Sequence, residues 1–184
     1  MQFIHEITES FTHLKIIVQN YFKSRNFRKD SVVNEGELIF RRGNRGDLEK
    51  IVALHNTIFS RPFLDWLLIL YKVRASELVS VAENKSGDIV AYDIYMFEPS
   101  EIKDNILHDL YVGVHPDYQN QGLAGKLRRY SADCYDGGML SGLSTLAPFS
   151  NVKALRSAQK AGYAITKASA KPAAYYLFRY LKKA

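Results

Sequence analysis

One cysteine in 184 residues, Cys134, excludes an internal disulfide, and no grouping of Cys and His has the spacing of metal ligands, so no metal is expected. No apolar run is long enough to cross a bilayer, and Glu6 and Glu9 stand where a secretory signal would carry basic residues. Stable membrane insertion is therefore not expected, and the cytoplasm is the expected compartment. Both common phosphate-loop signatures are missing: there is no Gly-x-Gly-x-x-Gly and no Gly-x-x-x-x-Gly-Lys-Ser/Thr. The chain also lacks internal repeats, low-complexity tracts, and any helix-turn-helix, zinc or RNA-binding aromatic motif. These last absences outweigh a pI near 9.3, so nucleic acid is not an expected partner.

With 47% apolar and 24% charged residues the chain falls in the globular class, and its length suits one domain with a sizeable core. Its net charge of +6 is unevenly placed. Residues 1–118 hold 14 Lys/Arg and 17 Asp/Glu, a net of −3, whereas residues 119–184 hold 11 and 2, a net of +9. Lys126, Arg128, Arg129, Lys153, Arg156 and Lys160 would draw an anion to the second part, with a solvated helix face as the alternative for each.

The most informative stretch is Leu110-Tyr111-Val112-Gly113-Val114-His115-Pro116-Asp117-Tyr118-Gln119-Asn120-Gln121-Gly122-Leu123-Ala124-Gly125-Lys126-Leu127. Its β-branched and aromatic start reads as a strand that Pro116 ends, because proline cannot donate to a sheet ladder. Ala124, Lys126, Leu127, Arg128 and Arg129 are good helix formers. Between strand and helix, Gly122 permits positive φ or a close backbone approach, and Ala124 and Gly125 keep side-chain bulk away. The free N–H groups of the helix start would converge on one anion. A plain tight turn is the competing reading.

A second ordered segment runs from Asn151 to Tyr163. Asn151 is a preferred N-cap, Val152, Leu155 and Ala158 follow helical spacing, and Gly162 terminates the helix. Together the segments resemble the acyl-coenzyme A site of the GNAT N-acetyltransferase superfamily. Its loop reads Gln/Arg-x-x-Gly-x-Gly/Ala after a strand ending Val-x-Pro, positions filled here by Gln119, Gly122 and Ala124, with Val114 and Pro116 before them. A later helix begins Asn-x-x-Ala and leads to Gly-Tyr, as Asn151, Ala154, Gly162 and Tyr163 do. The resemblance covers roughly residues 37–184. It implies acetyl-CoA as cosubstrate, bound by Val112, Val114, Gln119, Asn120, Gln121, Gly122, Leu123, Ala124, Gly125 and Lys126, and by Asn151 unless that side chain serves only as a cap.

Elsewhere Ile4, Ile7, Phe11, Leu14, Val18 and Tyr21 recur at intervals of three and four, which predicts an amphipathic helix over about residues 3–23. Its apolar face must bury against the domain or a second copy, with a membrane surface or a protein partner as the alternatives, and a homodimer through this helix is one expectation. The expected organisation is an N-terminal helix and linker over 1–36 and a GNAT domain over 37–184. Strands are expected near 37–42, 77–82, 89–97, 106–114, 139–146, 163–168 and 175–181. Helices are expected after Asp47 as cap, from Pro62, after the loop and after Asn151. The order β-α-α-β-β-β-α-β-α-β-β resembles the GNAT fold, an α/β (α+β) class with a mixed, mostly antiparallel sheet and helices on both faces.

The resemblance implies transfer of an acetyl group to a primary amine by direct attack in a ternary complex, on a small-molecule or peptide acceptor. A base near neutrality suits the first step. Some relatives place it on the strand before the loop, and counting back eleven residues from Gln119, as in histone-type relatives that carry a Glu there, reaches His108, with Asp109 as the second candidate. Strand alternation groups His108 with Leu110 and Val112, and Asp109 with Tyr111. The resemblance implies a bulge in this strand, expected at Gly113. His55, Asn56, Arg61, Asp65, Trp66, Tyr92, Asp93 and Tyr95 are expected around the acceptor. Many relatives carry a Tyr general acid where this chain has Ala158, and that substitution keeps open a noncatalytic acyl-CoA-binding sensor or scaffold of the same fold.

Overall fold

The computed structural model describes residues 2–25, 27 and 31–182, the first seven as backbone only. Eight strands form one sheet in the order β1–β2–β3–β4–β5–β6–β8–β7. These are β1 Val33–Glu35, β2 Leu38–Arg42, β3 Val79–Asn84, β4 Ile89–Met96, β5 Ile106–Val114, β6 Gly142–Pro148, β7 Ala164–Ala170 and β8 Ala173–Tyr180. The helices are α1 Gln2–Lys23, α2 Leu48–Ile58, α3 Asp65–Leu78, α4 Leu123–Tyr135 and α5 Val152–Lys160. Every neighbouring pair is antiparallel except β5 and β6, which run parallel with α4 as the crossover between them.

Adjacent residues of β4 locate the layers, since side chains alternate across a sheet. The Tyr92 hydroxyl lies 2.6 Å from His55 of α2, while Asp93 accepts from Ser131 of α4 at 3.0 Å. Helices α2 and α3 therefore cover one face and α4 the other, where Gly125 lets α5 pack close to it through Ser157 and Lys160. The larger core joins Ile51, Leu67, Leu70 and Leu78 to Val79, Ile94, Leu107 and Leu143. A smaller one under α4 holds Phe40, Ala91, Leu123, Leu127 and the buried Cys134.

Four local expectations change. Strand β1 lies inside the expected linker and adds to the sheet edge. Asp47 does not cap α2, because its carboxylate is already taken by Arg41 at 2.7 and 2.8 Å and by the Asn44 N–H at 2.8 Å. Pro62 does not open α3. Asn56 Oδ1 accepts from the Phe63 N–H at 3.1 Å, Leu64 keeps an extended backbone, and the helix begins at Asp65. Helix α3 then continues through Leu78, beyond the expected start of the next strand.

The predicted helix α1 forms, but it docks by a different face. Ile16 and Ile17 pack on the core, His13 stacks on Trp66 at 4.6 Å, and Arg74 lies over the Tyr21 ring at 3.9 Å. At the centre Asn20 bridges the end of β4: its Nδ2 donates to the Phe97 carbonyl at 3.0 Å, and its Oδ1 accepts from the Phe97 N–H at 2.6 Å. Of the predicted apolar row, Phe11, Leu14 and Val18 are left outward, with Phe11 69% and Leu14 55% exposed, and only Tyr21 joins the contact. Ile4 and Ile7 lie outside the described side chains. A polar residue wins the docked face because it satisfies both backbone groups of a buried residue, which apolar side chains cannot do. Among the described residues no helix is long and apolar enough to cross a membrane.

Replacing Asn20 by Ala strands two buried backbone groups. The expected loss is about 2–4 kcal/mol, read by urea denaturation, with Phe11→Ser as a control on the outward row that changes stability little.

Candidate functional site

The site is built where the two parallel strands part. Pairing of β5 with β6 runs from Ile106↔Gly142 to Asp109↔Thr145 and stops, although β5 continues to Val114 and β6 to Pro148. Beyond that point β5 keeps only β4, and β6 keeps only β8. A bulge accompanies the parting: Tyr95 faces Asp109 and Ile94 faces Tyr111, so Leu110 is the extra residue. The expected bulge at Gly113 is thus displaced. Gly113 instead pairs with Tyr92, whose ring would lie 2.3 Å from any added Cβ.

The extra residue also reverses the expected faces. Asp109, Val112 and Val114 pair with Tyr95, Asp93 and Ala91 and share the α4 side. His108 and Tyr111 pair with Met96 and Ile94 on the α2 side, where the Tyr111 ring meets His55 and Phe59.

After β5 the chain makes a short turn at Pro116–Tyr118 and enters α4 through two residues with positive φ, Asn120 at 62° and Gly122 at 77°. Space around an added Gly122 Cβ is open. The helix start has no side-chain cap, and the first bond inside it is Lys126 N–H to the Gly122 carbonyl at 3.1 Å. The N–H groups of Leu123, Ala124 and Gly125 thus belong to a first turn that has no intrahelical acceptors. Gln119 Nε2 donates to the Val114 carbonyl at 3.0 Å and Gln121 Nε2 to the Asp117 carbonyl at 3.1 Å, so both side chains brace the loop. Leu123 points into the smaller core. Lys126 pairs with Glu35 of β1 at 2.5 Å. Asn151 Oδ1 accepts from the Ala154 N–H at 2.9 Å and caps α5, which leaves its amide NH2 as a separate donor.

Arg128 leaves the set of anion-attracting cations. It is 3% exposed and donates to Asp109 Oδ2 at 2.6 Å and to Ser157 Oγ of α5 at 2.5 Å. Asp109, the second candidate base, is held by this pair on the α4 side. Asp93 lies in the same cluster, accepting from the Tyr95 hydroxyl at 2.6 Å and from Ser131. Burial first, then the charge of Asp109, pushes the Asp93 carboxyl well above the usual carboxylate range. Both Asp93 and Asp109 keep one oxygen that receives no hydrogen bond. Of the two carboxylates Arg128 bonds Asp109, so Asp93, buried beside that charge, is the one that favours retaining a proton.

His108 is 6% exposed and sits one residue before the strands part. Its Nδ1 lies 2.8 Å from Ser144 Oγ, the cross-strand partner on β6, and 3.2 Å from Glu101 Oε2. The Tyr176 hydroxyl of β8 donates to Glu101 Oε1. Burial opposes charge on Glu101, but the neighbouring His108 ring and the Tyr176 hydroxyl outweigh it and hold its carboxyl below the usual range. Serine and carboxylate address the same ring nitrogen, so this is not the relay that activates a serine nucleophile, which needs them on opposite nitrogens. Sequence reasoning missed Glu101, Ser144 and Tyr176. Only the parallel register brings Ser144 to His108, and no local pattern encodes it.

The expected acceptor residues divide. His55 is buried against Tyr92, Phe59 and Phe63, and burial lowers its imidazole pKa, so it is part of the core. Tyr92, Asp93 and Tyr95 are fully buried as well. Arg61 and Asp65 remain exposed at the α2–α3 connection, with Asn56 bonded to the Phe63 N–H and Trp66 under His13. Ala158 is wholly buried in the larger core. Among the described residues no group of His, Cys, Asp and Glu could hold a metal ion.

No protein-family model matches the sequence, and no curated protein matches it. Solved structures do match. The chain is similar to the NatC complex bound to Gag peptide and CoA, with TM-score 0.67, 18% identity, and 79% of this chain and 99% of that one covered. It is similar to a GNAT-family acetyltransferase from Streptococcus pneumoniae, with TM-score 0.62, 19% identity, and coverage of 79% and 99%. It is also similar to the spermidine/spermine N-acetyltransferase SpeG from Vibrio cholerae, with TM-score 0.62, 16% identity, and coverage of 79% and 95%. The chain has the GNAT fold.

The buried cluster separates two isosteric changes. Asp109→Asn strands Arg128 and should cost about 3–5 kcal/mol. Asp93→Asn should cost less. A folded pKa raised above the unfolded value of about 3.9 gives stability that is present below that value and is lost as pH rises through the folded pKa. Asp93→Asn should therefore gain stability relative to wild type as pH rises from about 4, in urea melts taken across the range.

Proposed function

We propose that the protein transfers an acetyl group from acetyl-CoA to a primary amine, by direct attack within a ternary complex and with His108 as base. One observation carries this reading on a GNAT fold: β5 and β6 part after Asp109↔Thr145, beside an α4 whose first turn has no side-chain cap. A phosphate group suits that helix start, because free N–H groups and the positive helix end face the same spot. Open space at Gly122 permits its approach. The freed edge of Leu110–Val114, with Val112 and Val114, offers backbone donors and acceptors to an amide-bearing chain such as pantetheine. Gln119, Asn120 and Gln121 shape the loop, Leu123 and Gly125 seat α4, and Lys126 and Asn151 supply cations or donors at its rim.

In the reaction the amine nitrogen attacks the thioester carbonyl, the C–N bond forms and the C–S bond breaks. Coenzyme A leaves as the thiolate, and the proton of the ammonium passes to His108 directly or through one water. Positioning and carbonyl stabilisation supply much of the acceleration and need no acid at position 158. The NatC structure holds a Gag peptide and SpeG is a spermidine/spermine enzyme. Both support an amine acceptor and leave peptide and polyamine as the classes to compare. The transferase domain is 37–184, its sheet extended by β1 from the N-terminal appendage 1–36, acting in the cytoplasm.

Titration calorimetry with acetyl-CoA tests the coenzyme site. Gly122→Asn keeps a residue tolerant of positive φ but fills the open space, and Ala124→Glu sets a negative charge at the helix start. Each should weaken binding about tenfold or more while the fold persists, since one charge-assisted hydrogen bond is worth roughly 1.5–3 kcal/mol. Unchanged affinity in both reduces the loop to a turn.

A screen of peptide and polyamine amines for coenzyme A release tests transfer, and His108→Ala should slow any positive acceptor about a hundredfold near neutrality. Coenzyme binding with no turnover of any amine would instead make the protein an acyl-CoA sensor.

A further inference from the structure

The hydrogen bonds around His108 have a direction that neither the ring nor the hydroxyls can set alone. A hydroxyl donates or accepts, and a neutral imidazole does one at each nitrogen, whereas an ionised carboxylate only accepts. Glu101 is buried, and its backbone is fixed by bonds from its N–H to the Glu98 carbonyl at 2.9 Å and from the Ile106 N–H to its own carbonyl at 3.3 Å. The Tyr176 hydroxyl donates to its Oε1, and His108 Nδ1 lies 3.2 Å from its Oε2, a buried oxygen that no other group serves. The ionised Glu101 can only accept, and the Ser144 hydroxyl, beside the same nitrogen, can turn a lone pair to the ring. Both neighbours of Nδ1, Ser144 Oγ at 2.8 Å and Glu101 Oε2 at 3.2 Å, then require a proton on that nitrogen.

On the acetyltransferase reading above, we infer that Glu101, with Ser144 as second acceptor and Tyr176 as clamp, is a positioning residue that holds His108 in the Nδ1–H tautomer. Nε2 is then the lone pair that takes the ammonium proton. The opposite tautomer would present an N–H to the ammonium and could not act as base. The bulge at Leu110 gives this arrangement its place. It leaves His108 on the α2 side with Ser144, while Asp109 turns to Arg128 on the other side.

Histidine-labelled full-length protein, observed by long-range proton–nitrogen correlation, reads the tautomer directly. The chain has five histidines, and the signals lost in His108→Ala assign the ring. In the neutral-imidazole regime the wild type should show His108 with Nδ1 protonated and Nε2 bare. Glu101→Leu should convert it to the Nε2–H form and lower kcat about tenfold or more, with the KM for acetyl-CoA unchanged. An Nε2–H ring in the wild type overturns the inference, and so does an unaltered tautomer in Glu101→Leu. If that variant fails to fold, the wild-type spectrum still decides. An Nδ1–H ring in a protein that turns over no amine upholds the positioning and removes the transferase reading. Turnover with an Nε2–H ring does the reverse.

Discussion

The buried pair between Arg128 and Asp109 sits at the apex of the fork, and the rest of the site is arranged around it. Asp109 is the last residue of β5 that pairs with β6, and its carbonyl also accepts from Thr145 of β6 at 3.0 Å. Arg128 reaches it from α4 and bonds Ser157 of α5 with its other arm. One guanidinium thus ties a strand and two helices at the point where the sheet opens. Such a pair adds little net stability, because desolvation offsets most of its attraction. What it contributes is position, since either partner left alone would be a bare charge in the core.

The bulge at Leu110 divides labour between the two faces of one strand. Without it, Asp109 and Tyr111 would share a face and the acidic cluster would project into the aromatic layer. With it, Asp93, Asp109 and Arg128 stay together on the α4 side, and the α2 side receives His108 and Tyr111. The site therefore depends on one residue that pairs with nothing, in a strand whose length and composition look ordinary.

Much of this fold was legible in sequence because its signals are local. The strand from Ile106 to Val114, the loop that Gly122 turns, the cap at Asn151 and the stop at Gly162 each follow from a residue's own backbone preference. What could not be read is what two distant segments decide together. Alternation assigned the faces of Asp109 and Tyr111 wrongly, because a bulge is set by the partner strand. Arg128 looked like a surface cation until α4 was laid on β5. In α1 the apolar row predicted the buried face, yet Asn20 holds that place because the end of β4 needed a donor and an acceptor. Glu101 lies in a turn without any motif, and only the closing of β6 and β8 around it gives it partners.

The stacking of His13 on Trp66 has an optical consequence. The chain has one tryptophan, so all indole emission comes from the contact between α1 and α3. An indole pressed flat against an imidazole emits differently from one facing water, and release of α1 changes that environment. The intrinsic fluorescence of this protein is therefore a local gauge of how firmly its first helix is seated, distinct from the tyrosine signal of the core.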